Sequence, residues 1–590
     1  MNLKSSLMRR GTYPALWPYC CLAIFLWGLA ISAVTPPFHA PDEYAHVARA
    51  MMLGEGQILL DSKDGTVLSG GYVDSGIVQY AESFPNKKIQ RADTQRAEAV
   101  QWTGRDAWVT PSGTGYYFPL LYTPQAAAFK LGQTLGLTVH RSYLLARTLA
   151  LLCSVALLAL AFRLYPPPAG ALALLLLPMY LFLGASAVLD PMATAASLLA
   201  VACYMRLSEG NTSRYRLTCV LLLASVVAVT SCRANMLPML LLPFAAYGVT
   251  KDRKLLIGSV LASALVLAWT YLVIRTTKFS GNGVPDIGSG SRLVDYLLQP
   301  DLTIRILWTT ITDPDLRTFY ARSFIGVLGW LDVPLPDWFY PLAWSALGLV
   351  LLSTLPLRAI RWTHFLLILV GLASLVLTFL ALLIQWTPDQ ATKIDGIQGR
   401  YFLLPMMLVT YALTASRKPF AKVSYLACAS AIGVLASLGG FLSVQAILTK
   451  YHSQSAEDLL QATRPQASEM RLVGNGTMQV DLVGPFEKSA MKRIGIMFDT
   501  AGTQRHGKLT ISLQDAGGTT VSTAVVDLAA IKDGSYTFFD VQGGPFSRLV
   551  MQGADGSGLG VYEATIGPVR LSCARGVTLD GRAVSTPGCP

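Results

Sequence analysis

Two adjacent carboxylates, two histidines and an arginine crowd into Pro36-Pro37-Phe38-His39-Ala40-Pro41-Asp42-Glu43-Tyr44-Ala45-His46-Val47-Ala48-Arg49-Ala50, directly after the first long apolar run. A proline followed by acids is a good helix start, because acids meet the positive end of the helix dipole. A helix begun near Pro41 puts Asp42, His46 and Arg49 on one face, at i, i+4 and i+7. Ala45, Ala48 and Met52 then share a packing face. Carboxylates beside Arg and Lys suit a reaction in which an acid deprotonates a hydroxyl while cations hold a phosphate leaving group. Arg in particular offers a two-pronged fork for phosphate oxygens. The same residues also describe a plain interfacial helix whose acids serve only the dipole, and the segment alone does not separate the two readings.

Further candidates are scattered along the chain: Arg147, Asp190, Arg233, Trp330 with Asp332, Asp389, Lys393, and Arg400 with Tyr401. Singly, each could be a span-end charge that snorkels to the interface. Their meaning depends on whether the chain brings them to one side of a membrane. The composition says that it has a membrane to cross. Of 590 residues, 52% are hydrophobic and only 14% charged, with a mean hydropathy of +0.45. A soluble domain carries about a quarter charged residues, and apolar runs of about twenty residues recur here. The net charge of +12 then reflects basic cytoplasmic loops rather than nucleic-acid binding.

Met1 to Tyr13 carries Lys4, Arg9 and Arg10 ahead of an apolar run from about 15 to 34, which reads as an uncleaved first span entering from the cytoplasm. The polar region 35–141 follows and ends in Gly115-Tyr116-Tyr117-Phe118-Pro119-Leu120-Leu121-Tyr122-Thr123-Pro124 and an amphipathic stretch that fits an interfacial helix. Later spans are expected near 143–162, 168–187, 191–205, 217–231, 235–249, 255–274, 339–357, 363–385, 401–415 and 423–447. Alternate loops then carry Arg163; Arg206, Arg214 and Arg216; Lys251, Arg253 and Lys254; Arg358 and Arg361; and Arg417, Lys418 and Lys422. All are short and basic, as cytoplasmic loops are. Eleven spans result, with the C-terminus exported. The exported side receives loops 35–141 and 275–340 and nearly every candidate residue, so an active site there is the economical expectation.

From about Ser468 short alternating runs such as Lys508-Leu509-Thr510-Ile511-Ser512-Leu513 are split by Gly/Asp turns. That pattern predicts an exported β-sandwich over 465–590, distinct from the transmembrane domain 1–450. Such a module binds glycans or serves only for docking. Cys573 and Cys589 fit a disulfide there, whereas the other seven cysteines lie in or beside apolar runs without metal-ligand spacing. There is no Walker-type phosphate loop and no convincing nucleophile elbow. His39 and His46 lack an evident third ligand for zinc. ATP is absent outside the cell, so an activated substrate has to arrive in the membrane. A lipid-linked sugar meets that need.

Several motifs together resemble a bacterial integral-membrane family, domain of unknown function 2142. They are Pro41-Asp42-Glu43-Tyr44-Ala45-His46, Ser186-Ala187-Val188-Leu189-Asp190, Ser323 through Asp332 with Leu335-Pro336, and Gly396-Ile397-Gln398-Gly399-Arg400-Tyr401-Phe402-Leu403-Leu404-Pro405. The resemblance spans about 20 to 445. Tyr44 stands where a small residue or Pro is expected, and Arg233 keeps a positive charge where a Lys is expected. That family in turn resembles the GT-C glycosyltransferases, which carry an Asp/Glu motif in the first exported loop and use polyprenyl-phosphate sugars. The resemblance implies an inverting sugar transfer in the bacterial inner membrane, from a polyprenyl-phosphate donor to an envelope glycan or glycolipid. Asp42 would be the general base, with Glu43 positioning the acceptor or, with Asp42, a divalent cation (Mg, Mn or Ca). Asp190 would be a second acid, and Arg400, Tyr401, Arg147, Arg233 and Lys393 would hold the donor phosphate. Trp330 and Asp332 would shape the sugar pocket, and His46 and Arg49 would line the same cavity. A flippase of lipid-linked oligosaccharide and a glycan-binding assembly protein are the rival readings. The scarcity of mid-span charges favours the enzyme over the flippase.

Overall fold

A computed structural model describes residues 15–62, 68–84, 91–111, 113–211, 213–278, 289–354, 361–388, 391–413, 422–452, 466–467, 472, 476–482, 485–501, 503, 506–553, 558–566, 569–581, 583–586 and 589. The chain divides into two compact units, Met1–His452 and Ser453–Pro590.

The first unit is helical. The first described helix, α1 (Trp17–Val34), has Pro18 in its opening turn, where a missing N–H costs nothing. It stops where Pro36 and Pro37 cannot continue the ladder. The helix α2 (Glu43–Gly54) follows, and the intervening polar region forms a three-stranded antiparallel sheet of β1 (Asp61–Ser62), β2 (Ser69–Asp74) and β3 (Asp106–Val109). Helix α3 (Thr123–Thr134) occupies the expected amphipathic stretch and packs against both α2 and α4 (Val139–Leu164). Thr138 caps α4, its hydroxyl accepting from the Arg141 N–H at 3.2 Å.

The expected span 168–187 is two short helices, Ala169–Leu175 and Pro178–Gly184. Pro178 forces Leu177 into an extended conformation (ψ 143°) and breaks the ladder there. Helix α5 (Asp190–Ser208) is buried on nearly all sides, and its Ala and Ser residues let α4 and α6 (Tyr215–Cys232) approach closely. The 3₁₀ turn Ala234–Leu240 precedes the helix Leu241–Thr250, and α7 (Arg253–Thr276) follows. A two-stranded ladder, β4 (Val327–Leu328) with β5 (Val333–Pro334), precedes α8 (Trp362–Gln385). The turn Gly399–Phe402 and the helix Leu403–Leu413 lead to α9 (Lys422–Ile447).

Among the described residues, six helical segments are long and apolar enough to cross a membrane: Trp17–Val34, Val139–Leu164, Tyr215–Cys232, Arg253–Thr276, Trp362–Gln385 and Val423–His452. Three shorter apolar segments accompany them. The first unit is thus that of a multi-pass membrane protein.

The second unit is rich in strands. One antiparallel sheet runs Thr520–Asp527, Lys508–Gln514, Arg548–Gly553, Thr477–Asp481. In the other, Met491–Asp499 pairs with Tyr536–Gly543, Gly560–Ile566 and Ala574–Thr578. Alternate residues from the two sheets, such as Ile511 and Leu549 from one and Ile496 and Val561 from the other, fill one core. Cys573 and Cys589 are disulfide-bonded.

Candidate functional site

Between α1 and α2 the backbone is driven into unusual conformations. Phe38 and Asp42 both have φ of 62°, a left-handed region that non-glycine residues enter at a cost of about 1 kcal/mol or more. Helix α2 therefore begins at Glu43, with Asp42 as its N-cap, and not at Pro41. This corrects the expected alignment of Asp42, His46 and Arg49 along one face. Asp42 turns off the helix toward Arg400, His46 meets Tyr122 at 2.6 Å, and Arg49 donates to the Gln57, Ile58 and Tyr117 carbonyls. Arg49 is fully buried on those carbonyls and ties the chain beyond α2 to the Tyr117 turn.

Glu43 and Arg147, at 0% and 1% side-chain exposure, form a two-pronged pair. Arg147 Nε donates to Oε1 and Nη2 to Oε2, each at 2.9 Å. The remaining guanidinium hydrogens go to the carbonyls of Thr35 (2.8 Å) and Pro36 (3.0 Å), with a longer contact to Ser32. Glu43 also accepts from the Ala187 N–H at 2.8 Å and the Ala40 N–H at 3.4 Å. Burial opposes charge on Glu43, but the Arg147 guanidinium and these hydrogen bonds outweigh it and hold the carboxyl below its ordinary range. With both oxygens so engaged, Glu43 keeps no lone pair for a cation shared with Asp42. Among the described residues, no group of three or more His, Cys, Asp or Glu could hold a metal ion.

Two further acid–arginine pairs lie nearby. Arg400 Nη2 is 2.6 Å from Asp42 Oδ2, and Arg233 Nη2 is 2.8 Å from Asp190 Oδ2. Their exposures differ. The Asp42 side chain is 46% exposed and the Asp190 side chain 13%, against 0% for Glu43. Of the three acids, Asp42 is the most open to an incoming group. The Nε atoms of both Arg233 and Arg400 are buried without a hydrogen-bond partner, so each guanidinium retains an unused donor. Arg400 also lies over the Tyr401 ring, 5.1 Å from its centroid. His46 feels the charges of both pairs, and burial pushes it down to about 4 against the pull of the Asp190 and Asp42 carboxylates.

Arg233, Asn235 and Tyr401 border two cavities. A small one of about 30 Å³ adds Asp190, Arg400 and Tyr180. A larger one of about 180 Å³ runs between the Tyr116–Tyr117 turn, the end of α6, Trp269 to Ile274 of α7, and Thr378 to Gln385 of α8. Its walls are mostly apolar, with polar groups from Arg233, Asn235, Thr270, Thr378, Gln385 and Tyr401 among them.

Other expected residues lie elsewhere. Asp332 accepts from the Trp330 N–H and pairs with Lys450 at 3.1 Å, while the Trp330 indole donates to the Phe38 carbonyl at 3.1 Å. That group meets the Asp42 turn at the Phe38 carbonyl and, through Tyr451, at the His39 ring. A side chain on Gly329 (φ 62°) would strike both Asp332 and Tyr451. Lys393 pairs with Asp313, whose carboxylate caps the helix Pro314–Gly326, and borders neither cavity. Asp389 lies outside the described residues. Nothing in the sequence singles out Tyr143 or Trp269. Uncharged and set in apolar stretches, they carry no local signal.

These features define a multi-pass membrane protein with acid–arginine pairs gathered beside an apolar cavity. Residues 25–410, well over half the chain, match the family described as predicted membrane protein (DUF2142), and the chain belongs to that family. A solved structure, that of ArnT from Cupriavidus metallidurans bound to undecaprenyl phosphate, is similar at 16% identity, covering 79% of this chain and 82% of that one with a TM-score of 0.27. At that score no fold or role passes from one chain to the other. No curated protein matches the chain.

Proposed function

We propose that the protein is an inverting membrane glycosyltransferase, moving a sugar from a polyprenyl-phosphate donor to an envelope glycan or glycolipid on the exported side of the bacterial inner membrane. The observation that carries this reading is the half-exposed Asp42 carboxylate paired with Arg400, near the Asp190–Arg233 pair, with an unused N–H on each arginine and Arg233 bordering a cavity with mostly apolar walls. Asp42 takes the proton of an acceptor hydroxyl, and that oxygen attacks the anomeric carbon of the donor sugar. The bond from that carbon to the phosphate oxygen breaks, and polyprenyl phosphate leaves with the electron pair. Arg233 and Arg400 hold the departing phosphate, as charge-assisted donors do well. The apolar walls between α7 and α8 suit the first isoprene units. Asp190 keeps Arg233 in place. The second unit, read as an exported β-sandwich, holds the acceptor glycan.

The test is Asp42→Asn, assayed by release of polyprenyl phosphate from a panel of polyprenyl-phosphate sugars with envelope glycan fragments. Loss of a general base lowers the rate by about 10²–10⁴-fold, at unchanged protein level in the membrane. A fully active variant sinks the role of Asp42. A wild-type protein that releases no polyprenyl phosphate from any donor sinks the reaction.

A further inference from the structure

Glu43 sits beside the most exposed acid of the site, yet it is sealed from solvent and saturated with hydrogen bonds. What those bonds hold is informative. Four backbone polar groups of the strained turn are clamped by three side chains. Arg147 takes the Thr35 and Pro36 carbonyls, Tyr143 Oη accepts from the Phe38 N–H at 3.1 Å, and Glu43 accepts from the Ala40 N–H. The Tyr143 ring in turn lies under Arg147 at 4.7 Å. Left-handed Phe38 and Asp42 persist only where the surroundings over-determine them, and this clamp does so.

Its reach extends to the second acid. Glu43 Oε1 accepts from the Ala187 N–H, three residues before Asp190. One carboxylate therefore touches the strained turn that aims Asp42 and the turn that starts α5 at Asp190.

We propose that Glu43 and Arg147 are positioning residues, a buried node that sets the Asp42–Arg400 pair against the Asp190–Arg233 pair and touches neither donor nor acceptor. The kinetic half of this inference rests on the glycosyl-transfer reading above. Its geometric half does not, which lets the two fail separately.

The experiment uses the full-length chain in detergent, with Glu43→Gln and the milder Tyr143→Phe, which removes a hydroxyl and no charge. Displacing reacting groups by about 1 Å costs about 100-fold in rate. Both folded variants should lose kcat, Glu43→Gln by about that factor and Tyr143→Phe by less, with the KM of donor and acceptor unchanged. A role confined to stability would lower the melting temperature and leave kcat per folded molecule intact. A direct contact would raise a KM. Either result overturns the proposal.

The second readout needs no donor. A water-soluble carbodiimide with an amine, followed by peptide mass spectrometry, should modify Asp42 and spare Glu43 in the wild type. In Tyr143→Phe the Asp42 modification rate should change several-fold. Rapid modification of Glu43 in the wild type, or an unchanged Asp42 rate in Tyr143→Phe, overturns the node. If the carbodiimide pattern holds and no sugar is transferred, the node stands and the proposed reaction fails.

Discussion

Replacing Arg147 with Met tests how the site is held together. The substitution keeps an apolar stem and removes the guanidinium, together with its two bonds to Glu43 and its bonds to the Ser32, Thr35 and Pro36 carbonyls. Glu43, at 0% exposure, is then left with only the Ala187 and Ala40 N–H groups as partners. Removing one member of a buried pair costs about 3–5 kcal/mol, because the other charge stays buried. Total stabilities are only about 5–15 kcal/mol, so the loss is large.

The pH dependence gives a sharper signature. In the wild type Arg147 holds the folded-state ionisation of Glu43 below its ordinary value. The stability it contributes is therefore present above the unfolded carboxyl value of about 4.3, and is lost as pH falls through the folded value. Without Arg147, burial dominates and raises the folded value above the unfolded one. The contribution of Glu43 is then fully present below the unfolded value and is lost as pH rises through the folded one. The slope of that contribution with pH changes sign. The measurement is a denaturant titration in detergent micelles, followed by far-ultraviolet circular dichroism across the acid-to-neutral range. The double variant Glu43→Leu with Arg147→Met should recover most of the loss, since apolar replacement of a whole buried pair is close to neutral. Two outcomes would refute the reasoning. One is a single variant no worse than loss of the exposed Arg305, which stands 3.6 Å from Asp301 in solvent. The other is a double variant no more stable than the single one.

On the proposed glycosyl-transfer reading, Arg400→Gln removes a charged phosphate partner worth about 1.5–3 kcal/mol and should weaken competition by free polyprenyl phosphate accordingly; unchanged inhibition would remove Arg400 from the proposed donor site. Burial holds His46 at about 4, below the ordinary 6.5 or so, so its contribution is present above the upper value and is lost as pH falls toward the lower, by up to about 3 kcal/mol. His46→Gln should flatten that part of the stability curve, and an identical curve would count against the burial argument. The Cys573–Cys589 bond closes a loop of 16 residues. Replacing both cysteines with Ser should cost about 3 kcal/mol, read as faster proteolysis within the strand-rich unit of the full-length chain; equal protection would contradict it.

Local features of the chain were legible because their causes are local. The long apolar helices follow from runs that only lipid or a protein interior accepts, and the alternating strands after Gln466 follow from their period of two. The break in the segment 168–187 was legible in principle, because Pro178 stands in its middle, but the hydrophobicity of the flanks hid it. Asp42, Glu43, Asp190, Arg147, Arg233 and Arg400 stood out as charges in an apolar chain. Their partners did not. Asp42 next to Glu43 looked like one motif, yet a left-handed turn sends the first toward Arg400 and leaves the second inside with Arg147.

By itself, then, the sequence determined that this is a helical membrane chain followed by a strand-rich unit, and which few charges its apolar background could not hide. Only the tertiary structure decided which of those charges are sealed and which meet solvent. Glu43 finds Arg147 across 104 positions and Asp42 finds Arg400 across 358. Separations of that size carry no periodic trace. They are fixed by how α1, α4, α5 and the Gly399–Phe402 turn pack, and by the desolvation that forces every buried charge to find a partner.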